Sequence, residues 1–193
     1  LIDIQEKITG SIGRNRRKLG LGIYPLDKIK LPIEFLAKKP EEISFIPLES
    51  KKKMNGREIL RKHPTGIEYA QLLKKKEKFP IFIDAENNLL SMPPIINSED
   101  TGRITEKTSD IFIEGTGTNL PALKKAVNIL ISAISEMGGK IYSMEIKDPK
   151  EGNLIFPDMS FEELNFEIKD IEKTLGINLS EKDIKKYLER MGI

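Results

Sequence analysis

The chain contains no cysteine, no tryptophan and one histidine, His63, among its 193 residues. The absence of cysteine excludes disulfide bonds, thiolate zinc sites and cysteine nucleophiles, and a single histidine excludes a histidine cluster. Any chemistry must therefore use carboxylates, hydroxyls, backbone groups or water. His63 precedes Pro64 at a predicted helix junction, where local packing is the ordinary role and general base catalysis is the alternative.

The chain also lacks a long hydrophobic segment and an excess of charge of one sign. No apolar run approaches the roughly 20 residues that cross a bilayer, so we expect a cytoplasmic protein with no membrane partner. Lysine and arginine total 32 against 30 acidic residues, which excludes a strong overall field for nucleic acid but not a local basic patch. The chain begins at Leu1 rather than Met, and we expect it to be a fragment of a longer protein.

One basic patch follows the first predicted helix. The four-residue spacing of Ile4, Ile8 and Ile12 predicts a helix over residues 3–13, and the segment 14–18 after it has the sequence RNRRK. Cations are favourable near the negative end of a helix dipole. Contact with RNA phosphates is the alternative role of this basic face.

The segment 89–101, LLSMPPIINSEDT, joins two strand-like runs and is the feature around which the chain is organised. Pro93 and Pro94 fix two φ angles and remove two backbone donors, so we expect a stiff elbow followed by an extended chain. Asn97 and Ser98 follow two isoleucines that should be buried. A change from buried apolar to polar side chains at this point is typical of the edge of a pocket.

A second polar segment, EGTGTN at residues 114–119, follows the apolar run 111–113. We expect a turn over Gly115, Thr116 and Gly117 that leads into a helix, with backbone N–H groups able to bind an anion or a water molecule. The motif lacks the Gly-Lys-Ser/Thr ending of a phosphate-binding loop. Glu114 is either a surface carboxylate or part of a cavity that both polar segments face.

The order of predicted elements indicates an α+β fold, a mixed, mostly antiparallel β-sheet assembly with flanking helices. Strands are expected over residues 19–24, 79–83, 89–92 and 111–114, and a core helix follows Asn119 as far as Gly138. The pattern changes after Pro157. We therefore expect one domain over residues 1–160 and a short helical C-terminal segment over residues 161–193.

Three motifs carry a resemblance to a known family: NGREILRKHPTG at residues 55–66, LSMPPIINS at 90–98 and IFIEGTGT at 111–118. Together they resemble the editing module of the phenylalanyl-tRNA synthetase β subunit of the archaeal and eukaryotic type. The resemblance covers residues 1–160, and residues 161–193 resemble the start of the helical domain that follows it. Asn119 departs from the family, which often has an acidic residue there.

The resemblance implies that this chain hydrolyses tyrosyl-tRNA(Phe), because a synthetic pocket for phenylalanine rejects an added hydroxyl only about 10²-fold. Glu114 would then accept a hydrogen bond from the tyrosine phenol. Candidate residues with further roles in substrate binding are Ser91, Phe82, Met92, Asn97 and Ser98, the aromatic ring being contacted by Phe82 and Met92. Thr116, with the amides of Gly115 and Gly117 or the substrate's ribose hydroxyl, would hold the hydrolytic water.

The resemblance also implies partners, namely the acceptor end of tRNA(Phe) and the synthetase α subunit. ATP and Mg²⁺ would serve the parent enzyme, with no cofactor and no metal ligand in this fragment. One alternative is a module without chemistry that positions tRNA or braces the α subunit through the basic face at 14–18. Another is a free-standing protein that binds a small molecule.

Overall fold

The computed structural model describes residues 1–161 and 163–192. The chain divides into two units, residues 1–158 and 159–193, beside the boundary at 160/161 expected from the sequence. Glu162 and Ile193, which belong to the second expected domain, lie outside the described residues. None of the helices described has the length and apolar character needed to cross a lipid bilayer.

The fold is α+β, as the sequence indicates, and every strand pair in the described residues is antiparallel. The helices are α1 Ile2–Gly10, α2 Gly56–Lys62, α3 Pro64–Glu68, α4 Glu99–Gly102, α5 Leu120–Glu136, α6 Ile168–Leu175 and α7 Glu181–Arg190. The strands are β1 Leu19–Pro25, β2 Glu34–Lys38, β3 Ser44–Phe45, β4 Met54–Asn55, β5 Phe79–Ile83, β6 Leu89–Met92, β7 Ile96–Asn97, β8 Ile111–Gly117, β9 Met144–Asp148 and β10 Gly152–Phe156.

Strands β1 and β8 form a two-stranded sheet that packs against helices α1 and α5. The side chains of Leu19, Leu21 and Ile23 alternate along β1 and enter the core that α5 also forms. Helix α5 begins where expected, since the Asn119 side chain accepts a hydrogen bond from the amide of Ala122. Because strand side chains alternate, the other face of β1 is left to Gly20, Gly22 and Tyr24.

The four-stranded sheet has the order β2-β5-β6-β7. On one face, Phe79, Ile81 and Ile83 of β5 enter a second apolar core with residues of α2, β3 and the segment after β6. On the other face, cross-strand pairing places one residue of each strand in a row: Phe35, Phe82, Ser91 and Asn97. This row lies beneath Tyr24 of β1, which packs against Phe82.

A register shift between β5 and β6 decides which β6 residues face Tyr24. Phe82 pairs with Ser91 and Ile83 with Leu89, so Leu90 is an extra residue, as in a β-bulge. Leu90 packs against Tyr24, and the neighbouring Ser91 hydroxyl contacts the Tyr24 hydroxyl. Strict alternation would have sent these two consecutive side chains to opposite faces.

The double proline forms a tight reversal between β6 and β7, whereas the sequence suggested an elbow followed by an extended chain. The amide of Ile95 donates to the carbonyl of Met92 at 2.8 Å, and β6 and β7 then pair antiparallel. Ile95 is fully buried in the second core. The reversal therefore anchors the prolines while leaving Asn97 on the face towards Tyr24.

Candidate active site

Three polar side chains, each from a different strand, meet at the hydroxyl of Tyr24 on a fourth strand, β1. The Tyr24 oxygen lies 2.8 Å from Ser91 Oγ, 3.3 Å from Glu114 Oε1 and 3.4 Å from Asn97 Oδ1. A phenol has one proton, so it can donate to only one of these oxygens. The structure thus brings Ser91 and Glu114, expected from the sequence to face one cavity, to the same phenol.

Two glycines make room for this cluster. Gly22 pairs with Glu114 and Gly20 with Thr116 across the β1–β8 ladder. A Cβ on Gly22 would lie 2.5 Å from Glu114 Oε1 and 2.8 Å from the Tyr24 hydroxyl. These separations are far below van der Waals contact, so glycine at position 22 is a packing requirement for the carboxyl.

Glu114 is the most strongly perturbed acid of the site. It is 8% exposed, and its Oε2 is buried without a hydrogen-bond partner among the described residues. Burial raises the pKa of Glu114 to about 8, although the hydrogen bond from Tyr24 opposes the shift. At neutral pH the group is therefore mostly a neutral carboxylic acid, which can both donate and accept a hydrogen bond.

A cavity of about 370 Å³ opens beside this cluster. Its volume lies at the lower end of the range found for small-molecule sites. The lining is mixed: its apolar side includes Pro93, Pro94, Ile96 and Ile104, and its polar and charged residues are Glu114, Thr116, Asn97, Gln5, Glu6, Arg16, Glu49, Thr65 and Arg103. Such a mixed lining suits a ligand that carries both a ring and polar groups, with the prolines and isoleucines available to the ring and the carboxyl, hydroxyl and amide groups available to its polar atoms.

Arg16 holds the proline reversal against the rest of the site. Its guanidinium donates to the carbonyls of Pro94 at 3.3 Å and Ile95 at 2.8 Å, and pairs with Glu6 at 2.8 Å. It also lies over the ring of Tyr69, 4.3 Å from the centroid. Arg16, in the basic segment that was expected to interact with a helix dipole or to contact RNA, is thus a structural link between α1 and the cavity wall.

The expected turn over Gly115, Thr116 and Gly117 is wrong, because these residues form the last part of strand β8. In an antiparallel pair of strands, hydrogen-bonded and non-hydrogen-bonded residue pairs alternate. The amide of Thr118 donates to the carbonyl of Lys18, and the amide of Leu26 donates to the carbonyl of Asp110. Counting inwards from these two bonds makes Gly20 and Thr116 a hydrogen-bonded pair. The amides of Gly115 and Gly117 therefore point towards the edge of β8 that β1 does not cover. They do not form a helix N-terminal loop.

The aromatic contacts and one of the polar residues expected from the sequence lie elsewhere. Met92 is fully buried in the second core, because it follows Ser91 and faces the opposite side of the sheet. Phe82 packs against the apolar cluster that contains Tyr24, and its ring lies tilted against that of Phe35, with the centroids 4.7 Å apart. Ser98 is buried at the start of α4, where its amide donates to Leu90. None of the three lines the cavity, and neither does Ser91, which is buried behind it against Tyr24.

His63 takes part in local packing, in line with the ordinary role of a histidine at a helix junction. It is buried between α2 and α3, and its Nε2 lies 3.0 Å from the carbonyl oxygen of Leu48. It does not line the cavity. No group of three or more histidine, cysteine, aspartate or glutamate side chains placed to hold a metal ion occurs among the described residues.

Sequence reasoning missed Tyr24, Gly20 and Gly22. A signal for them is present in the sequence LGLGIY at residues 19–24. Glycines at alternate positions of a strand leave one face without side chains, which indicates close approach of another group. The tyrosine that ends the same face could then have been assigned to the cavity side.

Comparison with known proteins finds relatives that are phenylalanine–tRNA ligase beta subunits. The phenylalanine–tRNA ligase beta subunit of Thermococcus sibiricus is 40% identical over 191 residues, which are 99% of this chain and 34% of that protein. The beta subunit of Pyrococcus horikoshii is 44% identical over the same proportions. The chain thus spans about a third of the length of these curated relatives. No protein-family model matches the chain.

One solved structure is similar over almost the whole chain. It is the crystal structure of an N-terminal fragment of the phenylalanyl-tRNA synthetase beta-subunit from Pyrococcus horikoshii, with a TM-score of 0.91 and 44% sequence identity. The match covers 98% of this chain and 54% of that chain. Sequence and fold therefore agree on the same group of proteins.

Proposed function

Because the chain belongs to the phenylalanine–tRNA ligase β-subunit family over the third of that subunit that it spans, we propose that residues 1–160 hydrolyse tyrosyl-tRNA(Phe) as an editing domain. The observation that carries the proposal is the buried Glu114 carboxyl, with one oxygen unpartnered, on the wall of a cavity of about 370 Å³. The parent synthetase attaches phenylalanine to tRNA(Phe), and this site removes tyrosine attached by error.

Selection for tyrosine follows from the hydrogen bonds of Glu114. A tyrosine ring entering the cavity brings its phenol to the carboxyl and satisfies an oxygen that is otherwise desolvated. Phenylalanine leaves that oxygen unpaired, so it lacks the stabilisation of about 1–3 kcal/mol that tyrosine gains by satisfying a buried polar group. A site built around a hydroxyl rejects the analogue that lacks it much more strongly than an apolar pocket rejects an extra hydroxyl. The editing site thus supplies the discrimination that the synthetic pocket lacks.

Hydrolysis of the activated ester needs a positioned water rather than a covalent nucleophile. Thr116 lies on the cavity wall next to Glu114 along the same face of β8, and its hydroxyl orients the attacking water. The water adds to the ester carbonyl, the bond to the terminal ribose oxygen breaks, and free tyrosine and tRNA leave. Gly115 and Gly117 contribute to the site only through the shape of the backbone, because their amides point to the edge of β8 that β1 does not cover.

The remaining substrates of the parent enzyme belong to other parts of the protein. We assign ATP, Mg²⁺ and the interface with the α subunit to regions outside this chain. The described residues offer no carboxylate set for Mg²⁺, and no step of editing is assigned to a metal here.

The test is deacylation of tyrosyl-tRNA(Phe) by the intact synthetase carrying Glu114→Ala. We expect a loss of at least 10-fold in kcat/KM, with Glu106→Ala, an exposed carboxylate outside the cavity, as the control. Unchanged cleavage by Glu114→Ala would end the carboxylate proposal.

The second candidate is a module that positions tRNA or braces the α subunit without chemistry, and the exposed side chains of Arg14 and Arg17 favour it. Thr116→Val separates the two functions, because it keeps the shape of the side chain and removes the hydroxyl. Loss of cleavage with unchanged tRNA affinity supports a hydrolase. Loss of tRNA affinity in Arg14→Ala or Arg17→Ala with no tyrosyl-tRNA cleavage by the parent protein supports a scaffold.

A further inference from the structure

A smaller recess of about 230 Å³ adjoins the main cavity. The two share five lining residues: Arg16, Gly20, Pro93, Pro94 and Thr116. A ligand that fills both would therefore pass Thr116. In an aminoacyl ester the bond to be cleaved joins the amino acid to the terminal ribose, so the nucleotide must lie directly beyond the amino-acid pocket.

Phe35 gives the recess an exposed aromatic surface. It lies on β2, the edge strand of the four-stranded sheet, and is 56% exposed. Its ring is supported by Phe82, with centroids 4.7 Å apart. A phenyl ring fixed from behind and open in front is a platform on which a nucleobase stacks.

The charge of the recess has one sign. Arg16, Arg17 and Lys18 line it together with Thr116 and Thr118, and no carboxylate is among its described lining residues. The chain reaches this position through a left-handed turn, with φ of 51°, 53° and 62° at residues 14–16. The turn is closed by the bond from the Lys18 amide to the Gly13 carbonyl at 2.8 Å. The segment is therefore held in place beside the ring.

We propose that this recess binds the terminal nucleotide of the RNA, with the base stacked on Phe35 and the adjoining phosphates contacted by Arg17 and Lys18. The inference rests on the proposed editing function, because it extends the same substrate beyond its ester bond. A base next to phosphate groups fits both features of the recess, the exposed ring of Phe35 and the cationic side chains of Arg17 and Lys18. Thr116 then lies between the tyrosyl and nucleotide parts.

The first experiment measures binding of a short labelled single-stranded RNA ending in CCA to the intact synthetase. Phe35→Ala should weaken binding by about 5- to 150-fold, the range for loss of one stacked base, and Phe35→Tyr should restore it. Phe161→Ala, which alters another exposed phenylalanine outside the recess, is the matched control. Unlabelled AMP should displace the RNA far less well than unlabelled RNA does. Equal displacement would overturn the assignment to an RNA end.

The second experiment addresses the phosphate contacts and does not depend on Phe35. Arg17→Ala should lower the slope of log affinity against log salt by about 0.7, as expected for one lost phosphate contact with a single strand. Arg61→Ala, an exposed arginine that lines neither cavity, is the control. An unchanged slope together with unchanged binding by Phe35→Ala would refute the proposal.

Failure of this inference and failure of the editing function give different results. Cleavage of tyrosyl-tRNA(Phe) that depends on Glu114 but keeps its KM in Phe35→Ala refutes the nucleotide site alone. No cleavage by the parent protein, with RNA binding still lost in Phe35→Ala, refutes editing and leaves the nucleotide site supported.

Discussion

Glu114→Gln should remove a large pH dependence of stability. The pKa of Glu114 is raised by burial from 4.5 to about 8, so the folded state holds its proton more tightly than the unfolded state. Stability from this group is complete below pH 4.5 and is lost as the pH rises through about 8. At about 1.4 kcal/mol for each pH unit, the whole effect is about 5 kcal/mol.

Most of this effect falls within an accessible pH range. Between pH 5 and pH 7.5 the free energy of unfolding should fall by about 3 kcal/mol more in the parent protein than in Glu114→Gln. Glutamine keeps the volume of the side chain and cannot titrate. Urea denaturation followed by tyrosine fluorescence is suitable because the chain has four tyrosines and no tryptophan.

Glu106→Gln is the control, since Glu106 is exposed and its loss should leave the pH dependence of the parent unchanged. Titration of the Glu114 carboxyl carbon by NMR gives the pKa directly, with an expected midpoint near pH 8. A midpoint near 4.5, or equal slopes of stability against pH in the parent and Glu114→Gln, would refute the assignment of a buried neutral acid.

Two further substitutions test the packing around the site. Gly22→Ala places a Cβ 2.5 Å from Glu114 Oε1 and should lower the free energy of unfolding by about 1–3 kcal/mol, whereas Gly10→Ala, with no atom nearer than 3.9 Å, should be neutral or stabilising in a urea titration. Arg16→Ala removes hydrogen bonds to two carbonyls and an ion pair and should cost about 2–4 kcal/mol. The exposed Arg17→Ala should change stability by less than about 0.5 kcal/mol, and equal effects of the two arginine substitutions would contradict the role of Arg16.

Local sequence patterns were sufficient for several parts of the fold. The core helix expected after Asn119 is α5, and the strands expected over residues 19–24 and 111–114 form most of β1 and β8. Both predictions depend on the period of a single element and on neighbours close in sequence. For the same reason Asn119 was recognisable as the cap of α5.

The parts that were missed depend on partners distant in sequence. Gly115, Thr116 and Gly117 have the composition of a turn, yet they form a strand because β1 pairs with them about 95 residues earlier in the chain. The extra residue Leu90 in β6 is defined only by its pairing with β5. Met92 is a different case, because alternation after Ser91 already directs its side chain to the opposite face of the sheet, where it enters the second core.

The role of the Arg16 side chain also depends on partners distant in sequence. In the sequence it is one of four cations in a row of five residues, and nothing local separates it from Arg17. In the structure Arg16 contacts carbonyls 78 and 79 residues away, whereas Arg17 is exposed. Such contacts follow from the left-handed turn and from the tertiary fold, and single-sequence patterns do not predict either.

The most direct test of the account is a crystal structure of the protein with a non-hydrolysable tyrosyl-adenosine in which an amide replaces the ester. The phenol oxygen should lie within about 3 Å of a Glu114 carboxyl oxygen, with the amide beside Thr116. A tyrosyl ring bound outside the cavity, or bound within it with the phenol away from Glu114, would contradict the claim that this buried acid selects the substrate.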